Sequence, residues 1–301
     1  MKTLIALILL FPISLFSEKV LIFTYAYNRP EFIKIQHDTF KKHLKDEYEF
    51  VVFSDAPTPR LQHKIEKQCQ TLGLKCIRVP QEIHNRPYLP RASKHEYQSP
   101  SVRNCNVVQY SLDQLGFSHN GLLALVDSDM FLVKDFSITQ YMKGYNLAGL
   151  HHNRNQNGRS VEYLWIGLVF MDLKTMNNPT SISFNCGLVD GVPTDTGGST
   201  HYYLRDNPNM RVQNLPQFSA PYCNRKECKK EHTSPCPLST FNLIQVGFKQ
   251  RERAFLQTPS VNSEFYIGDT FLHLKAGSNW NKAPINILRQ KNKALKALIA
   301  T

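Results

Sequence analysis

The 301-residue sequence lacks the short motifs that mark several large enzyme classes. It contains no G-x-x-x-x-G-K-[ST] phosphate loop, no G-x-G-x-x-G dinucleotide fingerprint, no G-x-S-x-G nucleophile turn and no H-E-x-x-H zinc motif. Internal repeats and low-complexity segments are absent as well. With 42% hydrophobic and 20% charged residues, the composition excludes a disordered, collagen-like or coiled-coil chain and favours an enzyme-sized globular protein.

Long hydrophobic runs are also scarce. The one candidate, residues 4–16, is shorter than the ~20 apolar residues that span a bilayer, and Pro12 and Ser14 interrupt it. We interpret residues 1–17 as a secretory signal peptide, which predicts a lumenal or secreted protein of the secretory pathway. The alternatives are a membrane anchor that is not cleaved, or a buried strand or helix. Residues 18–301 are then predicted to form a single domain.

Cysteines are few and odd in number. The seven are Cys69, Cys76, Cys105, Cys186, Cys223, Cys228 and Cys236. They are compatible with an oxidising compartment, and we predict local disulfides between Cys69 and Cys76 and within the last three. His232 lies among those three, but its spacing from them fits no zinc pattern, so a disulfide-stapled loop is favoured over a zinc site.

Acidic residues are in the minority, with 24 Asp plus Glu against 36 Lys plus Arg and a formal net charge of +12. This balance predicts an anionic partner. Nucleic acid is disfavoured, because the basic residues are scattered and no recognition motif occurs. The C-terminal residues 285–299 form a basic amphipathic pattern, which predicts a helix that either contacts an anionic membrane or closes the domain.

Apolar spacing predicts alternating strands and helices in the first half of the chain. Strands are predicted at residues 20–25, 48–54, 75–79 and 122–126, and helices from Pro30 and over residues 61–72 and 102–115. Later elements are mostly strands, at residues 147–150, 163–173 and 241–246. The order predicts an α/β fold in which residues 18–135 and 136–301 form two halves that share one sheet.

Two carboxylates follow the buried strand 122–126, in the sequence Asp127-Ser128-Asp129. Ligands of open α/β sheets bind at such carboxyl ends of strands. Residues two apart in an extended segment face the same side, so both carboxylates could reach one divalent ion, Mn²⁺ or Mg²⁺. The alternative is that they cap the following turn.

A second polar group interrupts a late apolar strand, where His273 stands in Phe-Leu-His-Leu and is followed by Lys275, Gly277 and Trp280. Together with Asp-x-Asp, this segment resembles the nucleotide-sugar-dependent glycosyltransferases of the GT-A fold. The resemblance implies a Rossmann-type nucleotide-binding half with a mixed sheet over residues 18–135 and an acceptor-side half over residues 136–301. It also implies a nucleotide-sugar donor, most simply a UDP-sugar, and a glycan, lipid or protein acceptor.

The resemblance further implies roles for individual residues. Asp127, Asp129 and His273 would bind Mn²⁺ or Mg²⁺. The donor would be held by Thr24, Tyr25, Tyr27, Asn28, Arg29, Asp55, Arg103, Asp127, Ser128, Lys275, Gly277 and Trp280. A carboxylate that contacts the donor sugar or deprotonates the acceptor is expected, and the candidates in order are Asp195, Asp190 and Asp269. The competing hypothesis is a secreted carbohydrate- or polyanion-binding protein with the same fold and no turnover.

Overall fold

The computed structural model describes residues 19–85, 100–220, 249–256, 263–274, 277 and 285–300. Its strands are β1 (Val20–Ala26), β2 (Tyr48–Ser54), β3 (Lys75–Arg78), β4 (Leu122–Val126), β5 (Met130–Leu132), β6 (Leu147–Gln156), β7 (Arg159–Asp172), β8 (Gly187–Val189), β9 (Val192–Thr194), β10 (Val212–Asn214), β11 (Gln217–Ala220), β12 (Ser263–Tyr266) and β13 (Phe271–Leu274). Its helices are α1 (Pro30–His43), α2 (Pro59–Leu72), α3 (Pro100–Gln114), α4 (Ile138–Tyr141), α5 (Thr200–Asp206), α6 (Gln250–Leu256) and α7 (Ile285–Ile299).

Seven strands form the central sheet, in the order β10-β6-β7-β4-β1-β2-β3. The four strands β3, β2, β1 and β4 are parallel, whereas β7 is antiparallel to both β4 and β6. The mixed α/β architecture predicted from the sequence is confirmed. Strands from both the first and the second half of the chain belong to this one sheet.

Helices cover both faces of the parallel part of the sheet. Successive residues of a strand point to opposite faces, so neighbouring residues of β1 pack against different helices. On one face, Ile22 of β1 belongs to the same core cluster as Ile33 of α1 and Ile65 of α2. On the other face, Phe23 of β1 belongs to a cluster with Val108 of α3. All seven residues of β1 are therefore buried, which explains why all of them except Thr24 are apolar or aromatic.

The helices begin and end where the sequence supplies the local signals. Pro30 and Pro59 occupy first-turn positions of α1 and α2, where the missing N–H costs no hydrogen bond. The side chain of Thr58 caps α2 by accepting from the backbone N–H of Leu61. Gly73 ends α2 in the left-handed conformation, at φ 68°.

A second sheet, with the antiparallel order β11-β12-β13-β5, brings the C-terminal part of the chain to the end of β4. The strand β5 begins directly after the Asp127-Ser128-Asp129 turn. It pairs with β13 so that Met130 lies opposite His273. The two segments that the sequence analysis singled out are thus neighbours in space.

The last helix, α7, packs against the domain. Its Leu295 and Leu298 are buried in a cluster with Phe32 of α1 and Leu272 of β13. This part of the apolar face closes the domain, as one of the two sequence alternatives predicts. Contact with an anionic membrane stays a prediction. Exposed cations of α7, such as Lys293, could make such a contact. No helix in the described part of the chain is long and apolar enough to cross a membrane.

Some predicted features lie outside the described residues: the segment 1–17, the strand 241–246, and Cys223, Cys228, His232 and Cys236. A 3₁₀ turn, Gln81–Asn85, follows β3, and residues 86–99 are likewise not described. The disulfide predicted between Cys69 and Cys76 is not formed in the structure. The thiol of Cys69, near the end of α2, instead makes a hydrogen bond with the thiol of Cys76 in β3.

Candidate functional site

The acidic pair lies in a turn that the backbone fixes from two sides. The N–H of Asp127 donates to the carbonyl of Gly167 at 2.8 Å, and the N–H of Met130 donates to the carbonyl of Asp127 at 3.0 Å. These bonds continue the β4–β7 ladder by one residue and then close a tight turn. Asp127 and Asp129 are therefore presented at the carboxyl end of β4, where the sequence places them.

Gln36 of α1 braces the same turn, and sequence reasoning missed it. Its side-chain amide is buried and donates to the carbonyls of Asp127 at 2.8 Å and Met130 at 2.9 Å. The hydroxyl of Thr24 donates to the amide oxygen of Gln36 at 2.9 Å. The sequence signal that could have identified this role is the glutamine itself, a polar residue among the positions that α1 buries. Thr24, predicted to hold the donor, is fully buried and supports Gln36 instead.

His273 completes a group of three metal-ligating side chains. One ligand atom each of Asp127, Asp129 and His273 lies within 4.8 Å of the others, and Nε2 of His273 is 3.4 Å from Oδ1 of Asp129. On the far side of the ring, Nδ1 is 3.0 Å from Oε2 of Glu264, which also accepts from the hydroxyl of Tyr266 at 2.8 Å. A carboxylate behind the imidazole fixes the ring and leaves Nε2 for a metal ion.

Gly277 approaches Asp129 so closely that no side chain fits. Its N–H donates to Oδ2 of Asp129 at 2.8 Å. A Cβ at this position would lie 2.6 Å from Cβ of Asp129 and 2.8 Å from the carbonyl oxygen of Leu274. Gly277 thus contacts a carboxylate of the metal-ligating group, and its contact with the donor stays a prediction. Lys275 and Trp280, predicted beside it, lie outside the described residues.

The electrostatics of the three side chains favour a bound cation. Burial and the neighbouring charge of Asp129 raise the pKa of Asp127 to about 7. Burial by itself would lower the pKa of His273, but the charge and hydrogen bond of Asp129 outweigh it and raise that pKa to about 10. The half-buried carboxylate of Asp127, the buried carboxylate of Asp129 and the imidazole of His273 form an oxygen and nitrogen donor set. This set fits Mn²⁺, and Mg²⁺ less closely because imidazole is a softer ligand.

Affinity for Mn²⁺ is expected to rise with pH. Below its pKa of about 10, His273 carries a proton that a metal ion must displace, and Asp127 adds a second proton below about 7. The apparent affinity should therefore increase about tenfold per pH unit from about pH 7 to about pH 8, and more steeply below. Isothermal titration calorimetry in two buffers of different ionisation enthalpy measures both the affinity and the released protons. A flat affinity without proton release would contradict the expectation.

An open cavity faces the three metal-ligating side chains. Its lining includes Tyr25, Tyr27, Asp55, Ser101, Arg103, Asn104, Asp127, Ser128, Asp129, Trp165, Asp195, Thr196 and His273. The ends of β1 and β2 and the helix α3 form one wall, and β7 together with the turn after β9 forms the other. Most of the residues predicted to touch the donor or the metal are thus brought to one place, although they are spread from position 25 to position 273.

On the first wall, Arg103 and Asp55 form a paired group. The guanidinium of Arg103 donates from Nε to Oδ2 of Asp55 at 2.6 Å and from Nη2 to Oδ1 at 2.7 Å. His84 is also bonded to Oδ1 of Asp55, at 2.9 Å, and Arg103 lies 5.2 Å from the ring of Tyr27. Arg103 was predicted to contact a phosphate, and in the structure it holds the buried Asp55 carboxylate.

On the second wall, Asp195 lies in a turn that packs directly on β7. The N–H of Thr196 donates to Oδ1 of Asp195 at 2.8 Å and fixes the carboxylate. Gly197 follows at φ 89°, and a Cβ on it would lie 1.9 Å from the carbonyl oxygen of Leu164. The helix α5 begins further along the chain, with its N-cap at Ser199, four residues after Asp195.

Trp165 of β7 is the main cavity residue without a predicted role. Its ring stacks on Tyr266 with centroids 5.8 Å apart and an interplanar angle of 18°, and its centroid is 5.2 Å from that of His273. The ring lies across Gly167, where a Cβ would come within 1.8 Å of it. Gly167 therefore makes room for an aromatic surface beside the metal-ligating group.

Four further predicted residues are not brought into the cavity. Asn28 and Arg29 follow β1, and Arg29 donates to the carbonyl of Gly277 at 2.6 Å and to the side chain of Asn292 at 2.7 Å. Arg29 thus joins the turn after β13 to α7. Asp190 occupies the exposed β8–β9 turn at φ 49°, and Asp269 pairs with Lys134. Of the three predicted carboxylates, the structure brings only Asp195 to the site.

No protein-family model matches this chain, and no curated protein matches it. Solved structures do. Core-mannan synthase A from Aspergillus fumigatus, in a form with Mn and GDP, shares 10% identity over 52% of this chain and 59% of its own, with a TM-score of 0.36. The mannosyltransferase Ktr4p from S. cerevisiae shares 11% identity over 55% of this chain and 58% of its own, with a TM-score of 0.38.

A third solved structure is a mannosyltransferase from Pyrobaculum calidifontis in complex with GDP-Man and Mn²⁺, at 11% identity over 66% of this chain and 55% of its own and a TM-score of 0.37. This chain therefore spans little more than half the length of the three proteins. It is similar, over part of its length and at low identity, to solved structures of a core-mannan synthase and two mannosyltransferases.

Proposed function

We propose that this protein is a divalent-metal-dependent glycosyltransferase that takes a sugar from a nucleoside-diphosphate donor. One observation carries the proposal: Asp127, Asp129 and His273 place their ligand atoms within 4.8 Å of one another, at the carboxyl end of a central parallel strand. A divalent cation stabilises a diphosphate both when it binds and when it leaves, and all three side chains line the cavity. The carboxylate of Asp195 lines the same cavity.

The proposed role of each cavity residue follows from its position. Asp127, Asp129 and His273 would hold the ion, whose chemistry is to stabilise the charge that develops on the leaving diphosphate. Gln36 and Glu264 orient these ligands through the hydrogen bonds described above. Tyr25, Tyr27 and the Asp55–Arg103 pair form the wall at the ends of β1 and β2, where the base and ribose would lie.

Asp195 would act on the opposite wall. It would accept the proton of the attacking acceptor hydroxyl in an inverting reaction, and it would contact the donor sugar in a retaining one. Uridine diphosphate sugars are the first donors to test, and a glycan, lipid or protein hydroxyl is the acceptor class. Delivery to the secretory pathway by residues 1–17 is part of the proposal.

The test is release of nucleoside diphosphate from a panel of donors, namely UDP-glucose, UDP-galactose, UDP-N-acetylglucosamine and GDP-mannose. Each is assayed with Mn²⁺, with Mg²⁺ and with EDTA. We expect release from one donor class with Mn²⁺, less with Mg²⁺, and none above background with EDTA. Release that is unaffected by EDTA would overturn the metal-dependent mechanism. Tight donor binding without release, under every metal and with simple sugar acceptors added, would favour the carbohydrate-binding alternative.

A further inference from the structure

The four cysteines in the described part of the chain form two contacting pairs. Cys69 meets Cys76, and Cys105 of α3 meets Cys186 in the segment before β8, in each case thiol against thiol. Cys105 is fully buried and Cys186 is 6% exposed, and with Val102 they form a separate small core cluster. Among the described residues, no metal-ligating His, Asp or Glu joins either pair to form a group of three.

The two segments that carry Cys105 and Cys186 are already held side by side. The side chain of Gln109 on α3 accepts from the N–H of Phe184 at 3.1 Å. The carbonyl of Phe184 in turn accepts from Gly197 at 3.0 Å, in the turn that follows Asp195. Both cysteines are free thiols in the structure, and these hydrogen bonds keep their two segments adjacent.

We propose that Cys105 and Cys186 form a disulfide that joins the two walls of the cavity. The bond would tie α3, which carries Arg103, to the segment that supports the Asp195 turn. The inference does not depend on the proposed glycosyl transfer. It agrees with the predicted export of the chain to an oxidising compartment, where disulfides persist.

The reaction is thiol–disulfide exchange with an organic disulfide, such as oxidised glutathione or an oxidised dithiol protein. A thiolate of one cysteine attacks the donor disulfide, whose S–S bond breaks as a mixed disulfide forms. The second cysteine then attacks that mixed disulfide and releases the donor's other thiol. The new S–S bond forms as the two cysteine sulfurs together lose two electrons and two protons, which the donor gains as two thiols. Because both sulfurs are buried in the folded protein, exchange is expected during folding.

Peptide mapping tests the bond directly. The full chain is folded in oxidised and reduced glutathione, unfolded with iodoacetamide and without reductant, and digested with trypsin. The sequence gives each cysteine its own peptide, residues 104–134 for Cys105 and residues 175–205 for Cys186. We expect the two peptides as one linked species, which separates after reduction. Recovery of both peptides alkylated, or linkage of either to another cysteine, would overturn the proposal.

A matched pair of variants supplies an independent measurement. A reductant is expected to lower the melting temperature of the wild-type protein by on the order of 5 °C, because this disulfide closes a long loop. The effect should disappear largely in the Cys105→Ala/Cys186→Ala variant and persist in the Cys69→Ala/Cys76→Ala control, since a bond between Cys69 and Cys76 would close only a short loop. An equal effect of the reductant in both double variants would contradict the assignment.

Discussion

Replacing Asp129 with asparagine is expected to lower kcat/KM for sugar transfer by on the order of 10³-fold, equivalent to about 4 kcal/mol of transition-state stabilisation. Asparagine keeps the size of the side chain and an oxygen for the N–H of Gly277, so the turn after β4 should persist. What it removes is one negative charge of the metal-ligating group. The measurement combines steady-state kinetics with Mn²⁺ titration by calorimetry, and both activity and affinity should fall.

The matched control is Asp206→Asn at the end of α5, where the carboxylate is exposed and pairs only at the surface with Arg205. Surface pairs of this kind contribute little, so its activity and Mn²⁺ affinity should stay within about twofold of the wild type. Both variants should melt close to the wild-type temperature without metal. Unchanged, EDTA-sensitive activity in Asp129→Asn would show that the ion is bound elsewhere.

Replacing Gly197 with alanine is expected to destabilise the fold by about 3–5 kcal/mol. The left-handed backbone costs alanine about 1 kcal/mol, and overlap with a backbone oxygen adds the rest. At φ 89°, the new Cβ would lie 1.9 Å from the carbonyl oxygen of Leu164, a central strand residue that cannot move aside like the end of a flexible side chain. Urea denaturation followed by far-UV circular dichroism measures the change.

Gly158→Ala separates the two contributions. Gly158 also has a positive φ, 74°, but nothing lies within 4 Å of the position where its Cβ would be. Alanine there should cost only the backbone strain, about 1 kcal/mol. Equal losses of stability in the two variants would mean that the Asp195 turn does not pack on β7 as described. Because Gly197 supports that turn, Gly197→Ala should also lose activity, whereas Gly158→Ala should keep it.

The elements of the first half were predictable because local patterns and tertiary burial agree there. β1 and β4 lie between helices on both faces, so their residues are apolar or aromatic except for Thr24, whose hydroxyl is hydrogen-bonded to Gln36. Asp127 and Asp129 were found because charges that end such a strand are costly without a partner. The short strands β8 to β11 carry no comparable pattern, since each is three or four residues long and their pairings are set by the chain around them.

Residues that act through another residue were not predictable. Gln36 reaches Asp127 across 91 positions, and Glu264 reaches His273 only because β12 and β13 pair with these residues opposite one another. Arg29 and Arg103 were predicted to hold the donor. In the fold, Arg29 bonds to Gly277 and Asn292, and Arg103 bonds to Asp55. A sequence shows that a cation is present, but packing decides which anion or carbonyl it meets.

The sequence by itself determined the α/β alternation, the acidic turn after β4 and the histidine of the late strand, because hydrophobic periodicity and the cost of burying charge are local properties. Only the tertiary structure decided that β13 pairs with β5 and so places His273 beside Asp129, and that Asp195 rather than Asp190 or Asp269 faces them. It likewise set the contact of Cys105 with Cys186. Such contacts join segments far apart in the chain, and strand register and side-chain direction fix them only when the whole core is packed.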